Sequence, residues 1–300
     1  MYVITGASGN TGSIVAQRLL DSGKQVRVIG RSADRLRSFA ERGAEAVITE
    51  LTDTPRLARA FRGAEAVYAM IPPGVAVPDV YAYDERVTTS LASALAEARV
   101  PYVVSLSSFG ADKGSGTGPV LGLHHLEQAL DGIAGLNTLH LRAGYFMENT
   151  LTQAEVIHAT GSVCGPLRAG LKLPMIATQD IGAAAAEALL RLEFKGHQRR
   201  ELLGHRDISY AEVTSIIGAA IGKPGLEYMQ LPNEQLRPAL TKMGMSANFV
   251  DLLLEMSSAL NTGHMKALEP RTPQNTTATS YESFVAERFV PAYRRIAKAA

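Results

Sequence analysis

VITGASGNTG, Val3 to Gly12, lies where a β-rich run at Tyr2 to Thr5 gives way to a helical pattern whose apolar face falls on Gly12, Val15, Ala16 and Leu19. Glycines at 6, 9 and 12 allow a tight turn, close approach of a pyrophosphate to the backbone, and close packing of helix on strand. The helix N-terminus adds unpaired amide donors and the positive end of a dipole, both suited to phosphate. The spacing is GxxGxxG, and in isolation it also fits an ordinary glycine-rich turn. Followed by a βαβ unit, it reads as a dinucleotide-binding loop.

Beyond that loop, the first half of the chain alternates short β-rich runs with helical patterns, the sign of parallel βαβ units. Strands are expected at Tyr2 to Thr5, Val26 to Ile29, Ala46 to Ile48, Ala66 to Ile71, Tyr102 to Leu106 and Thr138 to Leu141. Helical faces fall on Leu36, Phe39, Ala40 and Gly43, and on Val87, Leu91, Ala94, Leu95 and Ala98. Thr54 before Pro55 reads as an N-cap, and Gly23 and Gly43 sit where helices should close. After Asn149, Gly161, Gly165, Pro166, Gly170 and Pro174 break the rhythm until Asp180 opens an alanine-rich helix. Arg200 to Gly204 reads as a strand returning to the main sheet. Ser209 to Glu212 and Thr279 to Glu282 match capping boxes, with a polar linker at Pro270 to Thr279. The expectation is an α/β fold: a Rossmann-like doubly wound parallel sheet over residues 1–150, and a smaller, mostly helical C-terminal domain over 151–300.

Composition narrows the function classes. The 300 residues are 46% apolar and 20% charged, ordinary for a globular chain that needs no disulfide or metal staple. Lys and Arg number 30 against 29 Asp and Glu, and a net charge of +1 gives too little field to favour direct nucleic-acid binding or an anionic membrane. The one cysteine, Cys164, fits a reducing compartment, and no His-Glu-x-x-His or similar string points to a metal. No Gly-x-Ser-x-Gly elbow supports a hydrolase. MYVITGASGN has no basic region followed by a long apolar run, so the expected location is the cytoplasm.

The second strand ends in Val28-Ile29-Gly30-Arg31-Ser32, and Arg31 comes 19 residues after Gly12, where a ribose-reading residue is expected. A carboxylate there would hold two ribose hydroxyls and repel a 2′-phosphate. A guanidinium instead pairs with that phosphate, and Arg35 is placed to assist. NADP(H) is thereby favoured over NAD(H), the alternative being a solvated arginine at a strand end.

VITGASGNTG (Val3 to Gly12), VRVIGRS (Val26 to Ser32), VVSLSSFGA (Val103 to Ala111), LRAGYFMEN (Leu141 to Asn149) and MIATQDIG (Met175 to Gly182) together resemble one family. It is the NmrA-like group of atypical short-chain dehydrogenase/reductases, which includes NAD(P)H:quinone-reductase-like enzymes. The resemblance spans most of the chain, in the family's order, and implies a cofactor cleft between the Rossmann-like domain and the smaller one. Carried over by position, it makes Gly6, Ser8, Gly9, Asn10, Thr11 and Gly12 the pyrophosphate loop and Arg31 the 2′-phosphate contact. Leu51 falls near the adenine, where Glu50 replaces the family's usual Asp. Ile71, Pro72 and Pro73 fall on the loop lining the cofactor, although paired prolines also simply end a strand.

The wider superfamily typically uses a Ser with Tyr-x-x-x-Lys, and no Tyr-x-x-x-Lys occurs in this sequence. Ser107 and Ser108 follow the fifth strand, where the superfamily places its serine. The next segment offers His124 and His125, able to move protons near neutral pH or simply to sit on a helix face. A ketone's alkoxide demands a proton donor, whereas a quinone or azo acceptor takes hydride with its charge delocalised. The expected chemistry is hydride transfer from NADPH to such a small-molecule acceptor. Tyr145, Phe146, Met147 and Asn149 then shape the substrate end, or serve as inter-domain packing, with Ala143 in place of the family's usual proline. The same glycine loop also fits a non-catalytic NAD(P)-binding regulator of the NmrA type, sensing redox state and relaying it to a protein partner.

Overall fold

A seven-stranded parallel sheet organises the computed structural model, which describes residues 1–299. Its first six strands are β1 (Tyr2–Ile4), β2 (Val26–Gly30), β3 (Glu45–Ile48), β4 (Ala66–Ala69), β5 (Tyr102–Ser108) and β6 (Asn137–Ala143). They alternate with α1 (Asn10–Asp21), α2 (Ala33–Glu41), α3 (Thr54–Phe61), α4 (Val80–Ala98) and α5 (Val120–Asp131). All six lie within two residues of the ends expected from sequence, with β4 stopping at Ala69 rather than Ile71. Past β6 the chain forms β7 (Tyr145–Phe146), α6 (Gln153–Thr160), β8 (Val163–Gly165), β9 (Lys172–Ile176) and α7 (Thr178–Arg191). β10 (His197–Leu202) then returns to the main sheet, three residues earlier than Arg200, and pairs parallel with β6.

The strand order is β10-β6-β5-β4-β1-β2-β3. The chain runs outward from β1 to β3, then starts again on the other side at β4. The order thus reverses between β1 and β4, which opens a crevice at their carboxyl ends. Side chains alternate across the sheet. Tyr2, Ile4, Val26 and Val28 face a layer holding Val15 and Leu19 of α1, Leu36 of α2 and Ile181 of α7. Val3, Ile29, Val67 and Val103 face Leu57 of α3, Leu91 of α4 and Leu126 of α5.

The rest of the chain supplies β11 (Asp207–Ser209), α8 (Tyr210–Ala220), β12 (Tyr228–Gln230), α9 (Asn233–Lys242), α10 (Ala247–Thr262), α11 (Tyr281–Phe284) and α12 (Val290–Ala299). β9 pairs with β7 and β11, and β8 with β12, over a second core that includes Met147, Val163, Met175, Val213 and Tyr281. Helices α9 and α10 enclose a small cluster of their own, Leu236, Val250 and Leu254. No helix of the described residues is long and apolar enough to cross a membrane.

Local signals were shifted where a nearby partner competed. Asp53 rather than Thr54 caps α3, accepting from the Arg56 amide, because the Thr54 hydroxyl donates to Ser90 on α4 at 3.0 Å. Ser209 and Glu212 form the expected capping box. Thr279 does not cap α11. Its amide and hydroxyl both go to Asp180, at 3.0 and 2.8 Å, and Ser280 takes the cap. The segment Pro270 to Thr279 has no regular structure but is pinned, with Asn275 only 2% exposed and its carbonyl accepting the Leu203 amide at 2.7 Å.

Candidate active site

The turn after β1 is built by exclusion of side chains. Gly6 has φ +60°, and a Cβ there would stand 2.8 Å from Met70 Sδ on the loop after β4. A Cβ on Gly12 would stand 2.4 Å from the Gly6 carbonyl oxygen, so only glycine lets α1 close onto the turn. The Gly9 amide donates to that same carbonyl at 2.9 Å. Gly9 caps α1 without a side-chain hydrogen bond, and the amides of Asn10, Thr11 and Gly12 donate to no backbone carbonyl among the described residues. Unpaired donors and the positive end of the helix dipole thus meet at the strand-order reversal, a cradle that fits a pyrophosphate. Tyr68 steadies it from β4, its hydroxyl donating to Thr11 Oγ1 at 2.9 Å. From α2, Arg35 Nη2 donates to the half-buried Ser8's carbonyl at 3.1 Å.

Arg31, exposed at the end of β2, shares a pocket of about 410 Å³ with Ile48, Thr49, Glu50, Asp53 and Arg56. Arg56 is engaged there, its Nη1 donating to the Ile48 carbonyl at 3.4 Å and its Nε 4.0 Å from Asp53, whereas Arg31 makes no hydrogen bond or ion pair among the described residues. Glu50 is exposed on the rim, and Leu51 is 8% exposed beneath it. Ile71 and Pro72 are half-buried and Pro73 is exposed, next in sequence to the Met70 that touches Gly6.

The residues expected to carry the chemistry, Ser107, Ser108, His124 and His125, lie at the carboxyl end of β5 and on α5. Ser107 turns into the core. It is 2% exposed and its hydroxyl donates to Glu127 Oε1 at 2.6 Å. Arg142 grips the same carboxylate with Nε at 2.9 Å and Nη2 at 2.6 Å, a buried bidentate pair tying α5 to β6. Ser107 therefore belongs to a structural network and is not presented to the crevice. Ser108, on the opposite face and half-buried, donates to the Phe109 carbonyl at 2.9 Å. His124 Nδ1 lies 2.8 Å from the Ala111 carbonyl and so carries the proton, leaving Nε2 to accept from Gln128 at 3.0 Å. Nδ1 thus holds α5 to its entry loop and Nε2 is taken up within the helix, while His125 is exposed beside it. A further chain mimics a hydrolase triad: Ser105 Oγ is 2.6 Å from His140 Nδ1, and His140 Nε2 is 2.9 Å from Asp131. Ser105 and His140 are fully buried, which denies a substrate access, and that burial holds the His140 pKa below its usual range.

Gly144 marks the exit from β6. A Cβ there would lie 2.4 Å from the Pro174 carbonyl oxygen, and its amide donates to Leu202 at 2.8 Å, so the backbone is fixed just before Tyr145. Tyr145 is half-buried and accepts a hydrogen bond from the Tyr210 hydroxyl at 3.2 Å, and Tyr210 packs on Tyr228 with ring centroids 5.2 Å apart. Burial pushes the Tyr145 phenol above its ordinary pKa, and hydrogen bonds from Tyr210 and Asn149 pull the other way. Phe146 packs against the main core and Asn149 is exposed. Met147 is 1% exposed within the second core, which removes it from any crevice wall. Glu148, which no motif argument singled out, accepts from the Thr178 amide at 3.0 Å and its hydroxyl at 2.6 Å. The strings LRAGYFMEN and MIATQDIG are thereby joined by a carboxylate at the N-terminus of α7. Among the described residues no group of His, Cys, Asp or Glu gathers to hold a metal ion.

Known proteins resemble this chain along most of its length. The chain is 27% identical over 280 residues to an NAD(P)H azoreductase from Xenophilus azovorans, covering 92% of this chain and 93% of the relative. It is 30% identical over 242 residues, 80% of each chain, to (4-alkanoyl-5-oxo-2,5-dihydrofuran-3-yl)methyl phosphate reductase from Streptomyces griseus. The crystal structure of an NADPH-dependent quinone oxidoreductase from Escherichia coli matches with a TM-score of 0.77, at 22% identity, covering 96% of this chain and 100% of that one. The model of the NmrA-like family matches residues 2–285, and the chain belongs to that family.

Proposed function

We propose that this chain is an NADPH-dependent oxidoreductase that passes hydride to a quinone-like or other conjugated small molecule. The observation that carries the reading is the glycine cradle, where the Asn10, Thr11 and Gly12 amides stand unpaired and a Cβ at position 12 would close the space. Backbone donors of this kind bind a pyrophosphate without a basic surface. Arg31, exposed and unpaired among the described residues, reads the 2′-phosphate and sets NADP(H) above NAD(H). Ile71, Pro72 and Pro73 wall the cofactor, and Leu51 supports the adenine end from below. The bound reduced nicotinamide supplies the hydride. Tyr145, Phe146 and Asn149 border the acceptor, with Ser108 on the neighbouring strand end. Residues 1–150 serve the cofactor and the first rim of the acceptor site, which 151–300 completes through Tyr210, in a cytoplasmic, reducing setting that suits the lone Cys164.

A conjugated acceptor spreads incoming charge, so positioning carries more of the work than a strong acid. Relatives named as reductases favour turnover over cofactor sensing. The test is purified protein with NADPH or NADH and a panel of quinones and azo dyes, following loss of reduced-nicotinamide absorbance, beside titrations of all four nucleotides. NADPH-dependent turnover is expected. Tight binding with no turnover of any acceptor would leave the sensing regulator in its place.

A further inference from the structure

We propose that Tyr145 is the proton donor of this site and that Tyr210 positions it for that role. The inference rests on the reductase reading above. Once hydride has reached a quinone or azo acceptor, an oxygen or nitrogen is left as an anion that needs one proton. The neighbouring hydroxyls and imidazole are engaged: Ser107 with Glu127, Ser108 with the Phe109 carbonyl, His124 with Ala111 and Gln128.

Tyr145 differs. Tyr210 gives its proton to the Tyr145 oxygen, so Tyr145 uses a lone pair in that bond and keeps its own proton to donate. The backbone before it is held by the Gly144 amide on Leu202, and Tyr145 itself is registered against Met175 of β9. The remaining titratable neighbours are Tyr228 on β12 and Tyr281 on α11, whose hydroxyls donate to Leu167 at 2.6 Å and Thr150 at 2.9 Å, and Cys164 on β8 beside Tyr228. Burial raises both phenols, so neither carries a charge to compete with the anion. In the step, the Tyr145 O–H bond breaks and a new O–H or N–H bond forms on the reduced acceptor. The electron pair stays on the Tyr145 oxygen, where the Tyr210 hydroxyl holds it, and solvent returns the proton past the exposed Asn149. A phenol and a hydroquinone hold their protons with similar strength, which suits general-acid transfer.

Two acceptors separate the proton from the hydride. A quinone needs both, whereas a cationic triarylmethane dye is neutralised by hydride alone. Tyr145→Phe keeps the ring and removes the proton, so the ratio of quinone to dye turnover should fall about ten-fold or more. The solvent deuterium isotope effect on quinone reduction should shrink with it, while calorimetric binding of NADP⁺ is retained. Tyr210→Phe should lower the ratio less and move the alkaline limb of the quinone pH profile upward, because the phenolate loses its donor. An unchanged ratio in Tyr145→Phe overturns the proposal, as does equal loss on both acceptors with NADP⁺ binding intact. No turnover of either acceptor by the unaltered chain overturns the reductase reading, and this proposal with it.

Discussion

Arg31 carries its charge on an exposed side chain that no carboxylate neutralises among the described residues, although Glu50 and Asp53 line the same pocket. Its pairing with a 2′-phosphate is available only to NADP(H). Arg31→Glu should therefore weaken NADPH binding by about ten-fold or more and NADH binding far less, as read by calorimetric titration. Equal losses for both nucleotides would mean that Arg31 does not read the phosphate. Gly12 makes the opposite prediction. A methyl there meets the Gly6 carbonyl at 2.4 Å, and backbone cannot yield as a side chain would. Gly12→Ala should lower NADPH and NADH affinity alike, and should cost roughly 1–3 kcal/mol in urea unfolding. A variant that binds both nucleotides normally would show that the cradle tolerates the methyl and that the close approach is incidental.

Glu127 on helix α5 takes three donors, from Ser107 of β5 and Arg142 of β6, beside the Asp131 contact to His140 that also ties α5 to β6. Glu127→Ala leaves the Arg142 guanidinium buried without its partner, an expected loss of about 3–5 kcal/mol, while Glu127→Gln should lose less because it still accepts. Comparable unfolding curves for Glu127→Ala and the unaltered chain would show the pair to be dispensable. This network also explains what sequence could and could not tell. The six strands and the glycine loop were legible because alternation and glycine spacing are local properties. Where Ser107 points was not, because its acceptor stands 20 residues on, across a strand-to-helix packing. The available signal was a charge on each of two apolar faces, Glu127 on a helix and Arg142 in a strand. Caps slipped by one residue at Asp53 and Ser280 for a like reason, since Ser90 and Asp180 recruit the adjacent threonines from a distance. β7, β8 and β11, of two or three residues, are too short for alternation alone to show, and unlike the equally short β1 they have no dinucleotide-type glycine loop after them to mark them.

Stability of the whole molecule is tied to pH by a carboxyl that has no partner among the described residues. Asp84, on α4, is 6% exposed and faces α5 at Gly122, where a Cβ would lie 2.3 Å from its Oδ2. Tyr81 and Tyr83 flank it, and among the described residues no cation offsets its burial, which lifts its pKa from the ordinary 3.8 to about 7. The folded chain thus holds this proton more tightly than the unfolded chain does. The stability Asp84 contributes is complete below about pH 4 and is lost as pH rises from there to about 7, a swing on the order of 4 kcal/mol. Other groups act in the reverse sense. Glu212 is held down by its hydrogen bonds from Ser209, so its contribution is present at neutral pH and lost as the medium turns acid. Asp84→Asn should remove the alkaline-side loss alone. Urea midpoints of the unaltered chain should fall between about pH 4 and 7 and level off above, while those of Asp84→Asn stay nearly level, so that the two curves diverge across that range. Parallel curves across that range would show that Asp84 is ionised in the folded chain at neutral pH, and that the α4–α5 contact shelters a charge rather than a proton.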